Sequence, residues 1–408
     1  MRLDVSVTTA MISTSSAGVR ISPPRAPRAL VLMVLAAAIA TGCNRSEPAP
    51  GQSAAPPAQS AATPAPKATN GPRIYVSDET GKDIVVVDPV AGEVVGRIEV
   101  GKRPRGVKLS KDGKQLMIAL SGSPIGGPNV DESKLPPADR AADGIGVVDL
   151  ASGKAIRKFK SGQDPESFDI SPDGKFLYVS NEDAAEVSVL DLASGEVTAR
   201  VKVGEEPEGV TVRPDGKVVY VSCEGDNEVV AIDTTSLKIV GRIKTPARPR
   251  SIVFTPDSST AFIASENGGA ISVVDAKKHT LLDTMKIPPT EGTPMPPRPM
   301  GTALSPDAST VYVSFGRAKS IGIIDVKTRK LTRVIENVGG RPWGIAVSPD
   351  GRKIYTANGP SGDVSVVDVA TGAVEKQIKV GGSPWGIAVA HPVPEQTMSQ
   401  PPGPTGSR

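Results

Sequence analysis

A proline followed by a short apolar run recurs seven times along this 408-residue chain, and that periodicity constrains the fold more than any other feature. The prolines are Pro104, Pro165, Pro207, Pro249, Pro299, Pro342 and Pro384, spaced by 61, 42, 42, 50, 43 and 42 residues. A second mark keeps step with them: an alternating segment that ends in Asp88, Asp149, Asp191, Asp233, Asp275, Asp325 and Asp368. Turn sequences such as Pro172-Asp173-Gly174 and Pro214-Asp215-Gly216 follow most of the proline strands, and Asp-Gly supplies the positive φ of a tight hairpin. Each unit therefore reads as four short strands. Such units, repeated seven times, predict an all-β fold, a seven-bladed β-propeller. One unit alone cannot bury its faces, so the blades pack into a ring.

The same counting predicts how the ring closes. Residues 74–100 hold the second, third and fourth strands of a unit, and residues 385–390 hold only a first strand. Pairing of this C-terminal strand with the N-terminal strands completes one blade and removes the open edge.

The ends carry different information. Arg20, Arg25 and Arg28 precede the apolar run from Ala29 to Ala40, the pattern of an export signal too short to span a bilayer comfortably. It ends in Ala40-Thr41-Gly42-Cys43, which resembles the bacterial lipobox; Cys43 is the expected lipidation site, with a cleaved signal and free thiol, or an uncleaved anchor, as alternatives. Met11 is an alternative start. The expected organisation is a lipoprotein-type signal peptide at 1–42, a Pro/Ala/Ser linker at 43–70, the propeller at 71–391 and a disordered tail at 392–408.

Charge excludes one partner class. The chain holds 47 basic and 44 acidic residues, but residues 1–42 contain four arginines and one aspartate, so 43 of each sign remain beyond them. A chain without a basic excess is not expected to bind nucleic acid.

The unit Pro-Asp-Gly-Lys-Val-Val-Tyr-Val-Ser at 214–222, followed by Val-Val-Ala-Ile-Asp-Thr-Thr at 229–235, resembles the YVTN-type β-propeller repeat family. The resemblance covers residues 71–391 and implies a propeller of a bacterial or archaeal envelope or surface protein. It implies little about activity, because such propellers serve many roles. Related propellers include lactonases, quinone-dependent dehydrogenase subunits and haem d1 proteins.

Both departures from the 42-residue period, about 121–143 and 288–298, fall in loops that open on one mouth of the channel, which makes that mouth the candidate binding face. The residues flanking each proline point to the same mouth. Asp164, Glu166, Glu206 and Glu208 come from the second and third blades, and Arg103, Arg105, Arg248, Arg250, Arg298 and Arg341 from the first, fourth, fifth and sixth. Trp343 and Trp385, the only two tryptophans, occupy equivalent positions on the last two blades. Arginine forks could clamp a carboxylate or phosphate and tryptophan could stack on a planar ligand; the alternative is that arginines and acids pair between blades while the tryptophans plug the channel.

Catalytic signatures are sparse. The histidines are His279 and His391, neither in a ligand cluster, and there is no Cys-x-x-Cys-His. The acids of the first insertion, Asp131, Glu132, Asp139 and Asp143, match no calcium-loop spacing. No metal, cofactor or catalytic residue is predicted, and Cys223 is expected to be an inert packed thiol. The expected function is therefore a non-enzymatic, lipid-anchored periplasmic or cell-surface platform. It would be a monomer that binds a protein or small anionic ligand, with the membrane reached through the anchor only. The alternatives are an enzyme or redox-cofactor carrier of the lactonase, quinoprotein or haem d1 type, and a structural surface-layer protein.

Overall fold

The computed structural model describes residues 71–126, 130–289 and 297–390. Seven four-stranded antiparallel sheets fill this span, each a blade whose strands are termed A to D here. Strand A begins at the repeated proline: Pro104–Leu109 in blade 1, Pro165–Ile170 in blade 2, Pro207–Val212 in blade 3, Pro249–Phe254 in blade 4, Pro299–Leu304 in blade 5, Pro342–Val347 in blade 6 and Pro384–Ala390 in blade 7. Each strand A packs against the strands A of both neighbouring blades, and the series returns from blade 7 to blade 1, so these strands form the closed inner ring.

Blade 7 closes as the sequence requires. Pro384–Ala390 pairs antiparallel with Arg73–Asp78, and the sheet continues outward through Asp83–Asp88 and Glu93–Glu99. Arg73 is opposite Ala390, so the first and last described strands meet at the end of the blade that carries the A–B turns of the other six. That end is termed the turn face; the B–C and D–A loops open at the opposite end, the mouth.

The repeated residues have distinct mechanical roles. All seven strand-C aspartates close the C–D turn: Asp191 Oδ1, for example, accepts the Ala193 and Ser194 N–H groups at 3.0 and 2.7 Å. Asp88, Asp149, Asp233, Asp275, Asp325 and Asp368 do the same. They are turn-formers, as expected from their repetition. The glycine two residues after the proline answers a different constraint. A Cβ at Gly209 would lie 2.1 Å from the Arg250 carbonyl oxygen of the next blade, and one at Gly344 would lie 2.6 Å from that of Trp385. Bare backbone at this position lets adjacent inner strands nest.

The core lies between blades. Tyr220 of blade 3 is fully buried against Ile252 and Phe254 of blade 4, and six comparable clusters occupy the remaining interfaces. Burial of one such side chain is worth about 1.5–3 kcal/mol, so the ring is stabilised at every interface. Among the described residues, no helix is long and apolar enough to cross a membrane. Cys223 is buried and unpaired, and burial pushes its thiol up to about 12, which makes it unreactive.

Candidate active site at the mouth

Three tiers of side chains surround the mouth, each with one residue per blade. The residue after the repeated proline forms the deepest tier: Arg105, Glu166, Glu208, Arg250, Met300, Trp343 and Trp385 around the ring. The residue before the proline forms the second: Arg103, Asp164, Glu206, Arg248, Arg298, Arg341 and Ser383. The first residue beyond strand B forms the third: Ser121, Glu182, Glu224, Glu266, Gly316, Gly359 and Glu79.

The second tier is set by an uncommon backbone. Arg103, Asp164, Glu206, Arg248 and Arg341 all have positive φ, between 43° and 63°, although each precedes a proline. A non-glycine residue held there costs on the order of 1–3 kcal/mol. Hydrogen bonds from the third tier hold three of them in place: the N–H groups of Glu182, Glu224 and Glu266 donate to the carbonyls of Asp164, Glu206 and Arg248 at 3.0, 3.0 and 2.8 Å.

Charge divides the mouth into two halves. On the acidic half, Arg105 is fully buried and ion-paired with Asp164 and Glu166, with Glu182 Oε2 at 3.6 Å. Arg103 joins Glu79 at 3.0 Å and Asp164 at 3.9 Å. Two guanidiniums thus meet four carboxyl groups. On the cationic half, buried Arg250 pairs with Glu208, with Glu224 at 2.8 Å and with Glu266 at 2.9 Å. Arg248 pairs with Glu224, while Arg298 and Arg341 reach Glu266 Oε1 at 3.4 and 3.3 Å. Four guanidiniums meet three carboxyl groups there.

Protonation sharpens the division. Burial, with Glu208 alongside, pushes Glu224 well above the carboxylate range, while Arg250 overcomes burial and holds Glu208 below it. Glu208 therefore carries the charge and Glu224 the proton, which adds to the positive excess around Arg298 and Arg341. Glu266 is also held low, against its burial, by Arg250, Arg248 and Arg341. On the acidic half burial dominates: it raises Glu166 and pushes Glu182 up to about 7 despite Arg105. Glu182 keeps a third of its side chain exposed, so a titratable carboxyl group near neutrality faces the mouth.

An aromatic wall stands on blades 6 and 7. The Trp343 and Trp385 rings are stacked, with centroids 6.2 Å apart and planes 24° from parallel. The Arg341 guanidinium lies 4.2 Å from the Trp343 ring centroid and that of Arg250 lies 5.4 Å from it. The third tier makes room for this bulk: a Cβ at Gly359 would fall 2.6 Å from Trp343 Nε1, and one at Gly316 would fall 2.6 Å from Met300 Sδ.

The twelve flanking residues expected at the mouth are all there, but in unequal states. Arg105, Arg250, Asp164, Glu166 and Glu208 are buried in ion pairs between blades, whereas Glu206 is exposed and Arg103, Arg248, Arg298, Arg341, Trp343 and Trp385 are partly so. The pairing alternative thus describes the four charged residues of the deepest tier, together with Asp164. Residues 127–129 and 290–296, which include much of the second insertion, lie outside the described residues, as do Cys43 and His391. The first insertion is tied down by Arg140, which pairs with Asp183 and with Asp143 at 3.3 Å, and by Lys102, 2.6 Å from Asp139. His279 lies on the turn face, its Nδ1 2.8 Å from the Tyr220 hydroxyl.

Glu182, Glu224 and Glu266 were not singled out by sequence reasoning. The signal was available: aligned by strand B, they and Glu79 fall two residues after Ser180, Ser222, Ala264 and Ser77, a single column of the repeat.

Residues 204–384 match the family model for the seven-bladed lactonase β-propeller, and residues 130–267 match that for the SMP-30/gluconolactonase/LRE-like region. Among solved structures, the periplasmic gluconolactonase of Pseudomonas aeruginosa is 21% identical with a TM-score of 0.63, covering 79% of this chain and 99% of that one. A candidate 6-phosphogluconolactonase of Bacteroides fragilis is 17% identical with a TM-score of 0.62, covering 79% and 98%. The hydrazine synthase of Kuenenia stuttgartiensis is 21% identical with a TM-score of 0.55, covering 69% and 88%. A curated relative, antigen Lp49 of Leptospira interrogans, is 30% identical over 137 residues, or 26% of this chain and 30% of that protein's length. The chain thus spans less than a third of that relative. The solved structures share the propeller fold. The expectation of a non-enzymatic platform is overturned by the match to the lactonase family model, which points to the enzyme-type propeller that was its alternative.

Proposed function

We propose that this protein is a hydrolase that opens the ester ring of small lactones at the mouth of the propeller. The observation that carries the reading is Glu182, a partly exposed carboxyl group held near neutrality beside two arginines, across the ring from a cationic and aromatic surface. A general base is most effective when its pKa lies near the working pH. Ionised Glu182 takes a proton from water as the water oxygen bonds to the lactone carbonyl carbon. Arg103, partly exposed and acting on Glu182 through its charge, favours the negative charge that develops on the carbonyl oxygen. When the ring C–O bond breaks, the proton passes from Glu182 to the departing ring oxygen, leaving a hydroxy acid.

The other half of the mouth supplies binding. Arg298 and Arg341, held by long contacts to a carboxylate they share, accept an anionic or hydroxyl-rich substrate, and Trp343 and Trp385 form the wall against which its ring lies. Arg105, Arg250, Asp164, Glu166 and Glu208 hold this arrangement from below; Arg248 and Glu206 border it.

The site is placed outside the cytoplasm, on a monomer attached to the membrane only through lipid on Cys43. The signal and lipobox pattern of the sequence support the exported, anchored location, together with the YVTN-type resemblance and the distant relationship to an antigen.

The test is ring opening of glucono-δ-lactone and its 6-phosphate by the purified protein, followed by proton release. Hydrolysis above the spontaneous rate that disappears in Glu182→Gln supports the reading; equal rates with and without enzyme for both lactones overturn it. Cys43→Ser should move the protein from the membrane to the soluble fraction, and retention at the membrane would refute the anchor.

A further inference from the structure

The repeat contains one substitution with a spatial consequence on the turn face. The third residue of strand B is aromatic in six blades: Tyr75, Tyr178, Tyr220, Phe262, Tyr312 and Tyr355. All six are buried and pack between blades. In blade 1 the position is Met117, on strand B Gln115–Leu120. A flexible, unbranched side chain stands at a position that is a ring in every other blade, beside the buried rings of Phe159 and Phe168 at the same interface.

A groove of about 480 Å³ opens at this interface, between blades 1 and 2. Its size falls within the range of small-molecule sites, roughly 300–1,000 Å³. Met117, Val147, Ile170 and Leu192 give it an apolar floor. Two cations, Lys111 and Arg157, stand on its edge, and neither forms an ion pair with the described residues. Arg157 lies over the Phe159 ring at 4.1 Å and makes one long hydrogen bond, 3.4 Å, to the Ser194 carbonyl. The one acid of the rim, Asp112, is occupied by the Ser110 hydroxyl at 2.5 Å and the Lys114 N–H at 3.1 Å. Ile156, half-exposed at 52%, extends the apolar surface to the entrance.

We infer that the groove between blades 1 and 2 is a binding site for a small aromatic acid, whose ring takes the place of the aromatic side chain missing at Met117 and whose carboxylate faces Lys111 and Arg157. Apolar floor and cationic edge together select this class: a neutral ring would forgo the charge, and an aliphatic acid would lack the ring that fills this position in the other blades. The site lies at the opposite end of the blades from the mouth and is independent of the proposed hydrolysis.

Titration calorimetry of the whole protein with phenylacetate tests it, with benzyl alcohol and hexanoate as controls. Phenylacetate should bind at about 1 mM or tighter and at least about tenfold better than either control. Met117→Tyr, which restores the ring found in the other blades, should abolish binding. The double variant Lys111→Ala/Arg157→Ala should bring phenylacetate to the level of benzyl alcohol, and Glu182→Gln should change nothing. Failure of the native protein to bind phenylacetate, or undiminished binding by a folded Met117→Tyr, would overturn the inference. If that variant does not fold, the cation variant decides: phenylacetate binding that survives it equally refutes the site.

Discussion

The Ser222 hydroxyl donates to the Arg250 carbonyl oxygen of the next blade at 2.7 Å and accepts the Gly209 N–H of its own blade at 2.7 Å. One side chain thereby fixes the spacing of two inner strands directly beneath the Arg250 guanidinium. Ser77, Ser180 and Ser314 make the same bridge to Arg105, Glu208 and Trp343. Blades 1, 4 and 6 have Ala119, Ala264 and Ala357 instead. Ser222→Ala should lower stability by about 1–3 kcal/mol, because a buried carbonyl and N–H lose their partner. Urea unfolding checks this, and a loss below about 0.5 kcal/mol would show that the inner strands hold their spacing without the bridge.

Arg250 is the shared counter-charge of Glu208 and Glu266, and it also contacts protonated Glu224. Arg250→Ala should cost about 3–5 kcal/mol, since it leaves buried carboxyl groups without their cation. Adding Glu208→Gln to that variant should recover part of the loss. Chemical denaturation of these two variants and of the single variant Glu208→Gln against the native protein completes the cycle, and strict additivity would contradict the network.

If the proposed hydrolysis holds, the Glu182 carboxyl sets the pH dependence of both activity and stability. A base with a pKa of about 7 must be ionised to act, so kcat/KM for lactone opening should fall about tenfold per unit as pH drops below that value. Stability runs in the opposite sense. The folded-state pKa lies above the unfolded one, so Glu182 favours folding at acid pH and that contribution is lost as pH rises from the normal carboxylate range through about 7. Glu182→Gln should therefore melt higher than the native protein at pH 8 and level with it, or below, at pH 4. The reverse order in calorimetry would remove the buried-carboxyl account.

Gly359 is a sensitive way to move the aromatic wall without deleting it. Its missing Cβ is the space occupied by Trp343 Nε1, 2.6 Å away, so Gly359→Ala must displace the indole. KM for the lactone should rise several-fold with little change in kcat, because the wall binds and does not react. Trp343→Ala should raise KM further, since it also removes the contacts to Arg341 and Arg250, each worth about 0.5–2 kcal/mol. Unchanged KM in both variants would place substrate elsewhere.

The propeller and its closure were legible because turn chemistry repeats with the strands: Asp191 and its six counterparts must sit where a C–D turn needs an acceptor, whatever the blade contains. The flanking residues of the mouth were legible for the same reason, since Pro104 and its equivalents fix their place. Their pairing was harder to see. Arg105 beside Glu166, and Glu208 beside Arg250, are neighbours only around the ring, 61 and 42 residues apart in the chain, and burial then decides which charges survive. Glu182 fell outside the reading because its importance comes from desolvation by surrounding blades, which no local pattern records. Met117 was equally open to inspection, but an absent ring becomes a cavity only once blade 2 is in place.

The meeting of Arg73 and Ala390 on the turn face gives the molecule a top and an underside. Both strands therefore reach the edge of the ring on the side away from the mouth, and neither crosses the surface that carries the three tiers. A tag or solid support joined through either of these strands is thereby attached on the face that leaves Glu182 and the tryptophan pair clear.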